Sequence, residues 1–198
     1  LFSDRCFALG VSALTLMTFA MQSTMVFAPL YLQVVLGLSP SQSGMAMVAQ
    51  VSGMLCASAL VTRSAATSER PKHMVIAGVA TEAASLLGLT VLALLDAGAG
   101  AFAALLFVRG LGMGVGIPIL TSMLQNNAEP ADLGVATSSM MFVRSIGGVF
   151  GVSLGGLILN MLLSRTGVNV LHAAHIDSYR NAIGASFMLN TLCMLMAV

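Results

Sequence analysis

The chain is a succession of long apolar runs separated by short polar breaks. The runs cover about 8–35, 41–62, 74–95, 101–125, 133–160 and 180–198. At roughly 1.5 Å of rise per residue, each is long enough as a helix to cross about 30 Å of hydrocarbon. The breaks carry turn signals: Gly37-Leu38-Ser39-Pro40 after the first run, Arg70-Pro71 after the second, Asp96 to Gly100 after the third, Glu129-Pro130 after the fourth. Links this short oblige successive helices to run antiparallel. The pattern predicts an all-α polytopic membrane helix bundle of six transmembrane helices, with no room for a separate soluble domain.

Composition narrows the class. Hydrophobic residues make up 58% of the chain and charged residues 8%, against about 25% charged in soluble domains. Eight Lys and Arg against seven Asp and Glu leave a net charge of +1, so there is no basic surface for nucleic acid to grip. A soluble enzyme is excluded on the same grounds. Trp is absent, and Tyr31 and Tyr179 are the only tyrosines available to mark an interfacial belt. Cys6, Cys56 and Cys193 lie far apart among apolar neighbours and read as small hydrophobes. No cofactor or metal is expected. The chain starts at Leu1 without an initiator Met and ends at Val198 inside an apolar run, which suggests part of a longer protein.

Basic residues sort by side. Arg5, Arg63, Arg70 and Lys72 fall on the face shared by the N-terminus and the second and fourth links; Arg165 and Arg180 fall on the other. The excess puts the N-terminus in the cytoplasm. Pro29 and Pro118 lie inside the first and fourth runs, where each removes a backbone donor and favours a bend.

Three charges interrupt the apolar runs deeply: Glu82, Arg109 and Arg144. Each costs at least about 2.5 kcal/mol at the bilayer centre and so requires a partner or water. Helical spacing puts Arg109 on a stripe with Gly112, Met113 and Gly116, and Arg144 on one with Gly147, Gly148, Gly151 and Gly155. Small-residue faces are where helices approach closely, so both guanidinium groups are expected to look into protein rather than lipid. Counting from the span ends puts Glu82 and Arg109 about 12 Å deep and Arg144 about 16 Å deep. Glu82 can therefore pair in height with either arginine. One reading makes the set part of a substrate or proton path; the other makes it a static ion pair holding helix register. Gln22 and Gln50 join the path candidates, because a buried amide needs several partners. The intramembrane Ser and Thr residues, by contrast, can bond to their own helix backbone.

Two Gly-rich patterns carry no enzyme chemistry. Gly151-Val152-Ser153-Leu154-Gly155 lacks the strand-to-helix turn of a serine hydrolase, and Gly110 to Gly116 lacks the strand and acidic residue of a dinucleotide site.

Several segments together resemble the C-terminal six-helix half of a major facilitator superfamily transporter, most closely the fourteen-span drug:proton antiporters. They are Phe27-Ala28-Pro29-Leu30-Tyr31-Leu32-Gln33 with Leu36-Gly37-Leu38-Ser39-Pro40; Arg109-Gly110-Leu111-Gly112-Met113-Gly114 with Pro118; Leu133-Gly134-Val135-Ala136; and Arg144-Ser145-Ile146-Gly147-Gly148 with Gly151. The resemblance covers nearly the whole chain. It implies a secondary active transporter of the bacterial cytoplasmic (inner) membrane, exporting amphipathic drugs or metabolites in exchange for protons by alternating access. The implied partners are membrane lipid, a small-molecule substrate, protons and a missing N-terminal portion of six or eight helices. The resemblance gives Arg109 and Arg144 a role in gating or cavity electrostatics. The superfamily's cytoplasmic loop signature is reduced here to Arg63, Arg70 and Lys72, without its aspartate and glycines. Alternatives are uptake or exchange of a polar metabolite, or a non-transporting membrane scaffold.

Overall fold

The computed structural model describes residues 5–64, 71–95, 98–126, 132–165 and 176–197. These form six α-helices: α1 (Arg5–Val34), α2 (Pro40–Ser64), α3 (Pro71–Leu94), α4 (Ala99–Asn126), α5 (Leu133–Arg165) and α6 (Ile176–Ala197). Pro29 and Pro118 lie inside α1 and α4 without ending them.

Local chemistry sets the turn between α1 and α2. Gly37 has a φ of 67°, a conformation that side chains disfavour, and the amide of Leu38 then reaches back to the carbonyl of Leu32 at 3.0 Å. Ser39 and Gln42 cap α2 reciprocally: the Ser39 amide donates to Gln42 Oε1 at 3.0 Å, and the Gln42 amide to Ser39 Oγ at 3.3 Å. Pro40 occupies the first helical position, where no donor is needed.

Packing separates two groups of helices. α2 and α3 both pack on α4, while α1 packs on α5 and α6; α3 and α6 join the groups, and α4 scarcely meets α5. Gly10 abuts Leu124 and Gly116 abuts Met17, so α1 and α4 run in opposite directions. Gly147 and Gly151 meet Thr15 and Phe19 in the same order along both chains, so α1 and α5 run in the same direction. Alternation of direction thus follows the short links. α2 and α5 bury the least of themselves and display long apolar faces, among them Met45, Val48 and Leu55, and Phe142, Val149 and Phe150.

Two expectations change. Among the described residues, five helices are long and apolar enough to cross a membrane; α6 is not among them. Its first turns carry Asp177, Arg180 and Asn181, and Asn190 interrupts the rest. Tyr31 does not mark an interfacial belt. It is fully buried, stacks on Phe102 with ring centroids 4.9 Å apart, and donates to the Ala93 carbonyl at 3.5 Å. The hydroxyl finds a partner inside the bundle, so it has no need of the interface.

Candidate functional site

The buried charges fall into two separate polar groups. The first is sealed. Glu82 on α3 and Arg109 on α4 form an ion pair with Arg109 Nη2 3.1 Å from Glu82 Oε1, and both side chains are 0% exposed. Alternating glycines of α4 explain how the arginine comes to lie this deep. Gly110 and Gly114 rest against the α2 backbone at Gln50 and Met54, while Gly112 faces the α3 backbone and Gly116 faces Met17 of α1. A Cβ on Gly112 would stand 2.7 Å from the Gly78 carbonyl oxygen and 2.8 Å from the Glu82 amide nitrogen. Backbones this close leave no route for lipid to the guanidinium. Gln50 belongs to the same group: it is nearly buried, and its Nε2 lies 3.6 Å from Met113 Sδ, one turn beyond Arg109.

The second group is open. Arg144 on α5 donates from Nε to Thr18 Oγ1 on α1 at 3.1 Å. It lines a cavity of about 340 Å³ with Thr18, Met21, Gln22, Met141 and Ser145. Thr18 also donates to the Leu14 carbonyl at 2.9 Å, which fixes its lone pairs to receive the arginine. Glycines again set the geometry. A Cβ on Gly147 would stand 2.8 Å from the Thr15 carbonyl oxygen, and one on Gly148 2.9 Å from Gln22 Cγ. Gly151 packs on the Phe19 carbonyl. The α1–α5 seam is therefore a backbone contact, and Arg144 and Gln22 emerge along its edge.

Of the sequence-derived candidates, Glu82, Arg109 and Gln50 come together among α2, α3 and α4, and Arg144 and Gln22 come together between α1 and α5. Glu82 pairs with Arg109 and not with Arg144. Arg70 lies outside the described residues, as do the side chains of Arg63 and Arg165; Lys72 is exposed in the first turn of α3. Most intramembrane hydroxyls bond to their own helix, such as Thr121 Oγ1 to the Ile117 carbonyl at 2.7 Å.

Sequence reasoning missed Asn190. This fully buried α6 amide donates from Nδ2 to Ser23 Oγ at 3.0 Å and lies 3.5 Å from Thr24 Oγ1, tying α6 to α1 one residue from Gln22. Its signal was an amide in an apolar run, the same criterion that singled out Gln22 and Gln50.

The sequence pattern of the Major Facilitator Superfamily matches residues 4–197. Multidrug transporter protein MdtP of Bacillus subtilis (strain 168) is 34% identical over 160 residues, covering 81% of this chain and 29% of that protein. Uncharacterized MFS-type transporter Rv1877 of Mycobacterium tuberculosis (strain ATCC 25618 / H37Rv) is 32% identical over 170 residues, 84% of this chain and 24% of the relative. A tetracycline resistance determinant of Streptomyces rimosus is 31% identical over 133 residues, 66% of this chain and 38% of its own length. The chain thus spans between about a quarter and two fifths of these relatives.

Proposed function

Because the chain belongs to the Major Facilitator Superfamily, we propose that it is the C-terminal six-helix half of a secondary active transporter that exports amphipathic drugs or metabolites in exchange for protons by alternating access. The remaining six or eight helices lie in the missing N-terminal portion, and the whole sits in the bacterial cytoplasmic membrane. The observation that carries this reading is Arg144: a cation held by Thr18 on the wall of a cavity between two glycine-packed helices. Intramembrane charge facing a cavity marks a transport path by default.

The cavity wall divides its labour. Met21 and Met141 offer flexible apolar surface that repacks around ligands of different shape. Arg144, Gln22 and Ser145 offer polar groups to the substrate's polar end or to a carboxylate of the missing portion. Protonation of such a carboxylate would change the charge that Arg144 faces, and so couple proton movement to occupancy. The apolar faces of α2 and α5 are where that portion would rest. The relatives' names, multidrug transporter and tetracycline resistance determinant, support export of amphipathic compounds.

The test is transport by the full-length protein in proteoliposomes under an imposed pH gradient, with an amphipathic cationic dye as probe. Gradient-driven dye movement that is lost in Arg144→Ala at unchanged expression is the expected result. Movement of a polar metabolite alone would favour uptake or exchange, and no movement of either would favour a scaffold; both overturn the proposal.

A further inference from the structure

The sealed group has an imbalance that its ion pair does not resolve. Arg109 uses Nη2 on Glu82 Oε1. Arg109 Nε and Nη1, Glu82 Oε2 and Gln50 Oε1 are all buried without a hydrogen-bond partner. Two are donor groups and two are acceptors, on three helices in direct contact. A polar group left unmatched in a low-dielectric interior is costly, and an arginine with one of three nitrogens engaged is costlier still.

Helix contacts show which residues meet beside the unmatched atoms. A Cβ on Gly110 would run into the Gln50 carbonyl, so α2 and α4 touch next to Arg109. The Gln50 side chain reaches along α4 to Met113, one helical turn past Arg109 and on the same face. Its Nε2 end is turned to the sulfur, a weak acceptor. Its Oε1 end is buried without a partner, on the helix that packs against α4 beside Arg109. Glu82 Oε2 is bonded to the same carbon as the oxygen already engaged, so a small rotation of the carboxylate closes the second prong of the fork.

We propose that Gln50, Glu82 and Arg109 form one three-helix polar latch, in which the Arg109 guanidinium is shared between the Glu82 carboxylate on α3 and the Gln50 amide oxygen on α2. Gln50 is a positioning residue: it fixes the arginine from the side opposite the ion pair and fastens α2 to the α3–α4 pair. The latch makes α2, α3 and α4 one rigid unit, which the glycine contacts of α4 with both neighbours already favour.

Moving the carboxylate between helices tests this in the full-length protein in detergent, with expression and thermal midpoint as readouts. Folding is measured and not transport, so failure here is distinct from failure of the transport reading. Glu82→Gln leaves the cation unpaired and is expected to lower the midpoint by about 10 °C. The double variant Glu82→Gln/Gln50→Glu supplies the charge from α2 and is expected to recover at least half of that loss. Glu82→Gln/Ala57→Glu, with the carboxylate about two turns farther along α2, is expected to recover none. Should Glu82→Gln prove too unstable to purify, rescue of expression by Gln50→Glu reports the same thing. Equal behaviour of the two double variants, or no recovery in either, overturns the latch. So does a Gln50→Met variant as stable as the parent.

Discussion

Arg109 Nη2 lies 3.1 Å from Glu82 Oε1, and neither side chain exposes any surface. The pair spans α3 and α4 at a point where Gly112 brings the two backbones into contact. Removal of one partner leaves an uncompensated charge, at a cost of about 3–5 kcal/mol; removal of both is far milder. Glu82→Leu and Arg109→Met are each expected to destabilise the protein strongly, and the double variant to fall well short of their sum. A double-mutant cycle on thermal unfolding in detergent checks this, and simple additivity would mean that the charges do not interact.

The glycines sort into two kinds, which yields an internal control. Gly151 packs directly on the Phe19 carbonyl, whereas Gly156, little more than one turn later on the same helix, has nothing within 4 Å of where a Cβ would be. Gly151→Ala is expected to part α1 from α5 and cost about 1–3 kcal/mol. Gly156→Ala is expected to be neutral or slightly stabilising, since alanine favours the helix by up to about 1 kcal/mol. Comparison of the two by thermal midpoint removes any general effect of changing α5.

Thr18 and Arg144 separate charge from position. Arg144→Ala removes the cation from the cavity wall; Thr18→Val leaves the cation and removes its acceptor. Transport is expected to vanish in the first. In the second it should fall about tenfold, the loss of roughly one charge-assisted hydrogen bond. Initial rates in proteoliposomes distinguish the two, and equal loss in both would mean that the hydrogen bond, not the charge, is what matters.

Six helices could be read from the apolar runs because each run must satisfy its own backbone and the links are too short to do otherwise. The ends were less legible. α5 continues to Arg165, past the expected 160, and α6 begins at Ile176 instead of 180, where Asp177 pairs with Arg180 at 3.1 Å within the first turn. Polar residues with a helical partner do not stop a helix, although they look like a boundary on a hydropathy scale. The choice of Arg109 over Arg144 as the partner of Glu82 was not legible, since depth is read along one helix while adjacency depends on all six. Small-residue stripes pointed both arginines toward helix contacts; Arg109 is fully buried there and Arg144 half-buried. They did not say that one faces a sealed seam and the other a cavity.

Asn190 supplies the remaining prediction. Its Nδ2 donates to Ser23 Oγ at 3.0 Å with no solvent access on either side. Leucine at this position would keep the approximate volume, but it would face Ser23 and Thr24 with an apolar group. Thr24 already donates to the Ala20 carbonyl at 2.8 Å and loses little. Ser23 keeps its hydroxyl but loses the amide that donates to it, so Asn190→Leu is expected to cost about 1–2 kcal/mol. Ser23→Ala in the same background removes the stranded hydroxyl and should restore part of the stability. Because Gln22 follows from the placement of this stretch of α1, the single variant should also slow transport at unchanged expression, and the double variant should recover stability without recovering rate. Recovery of both together would place Asn190 in packing alone.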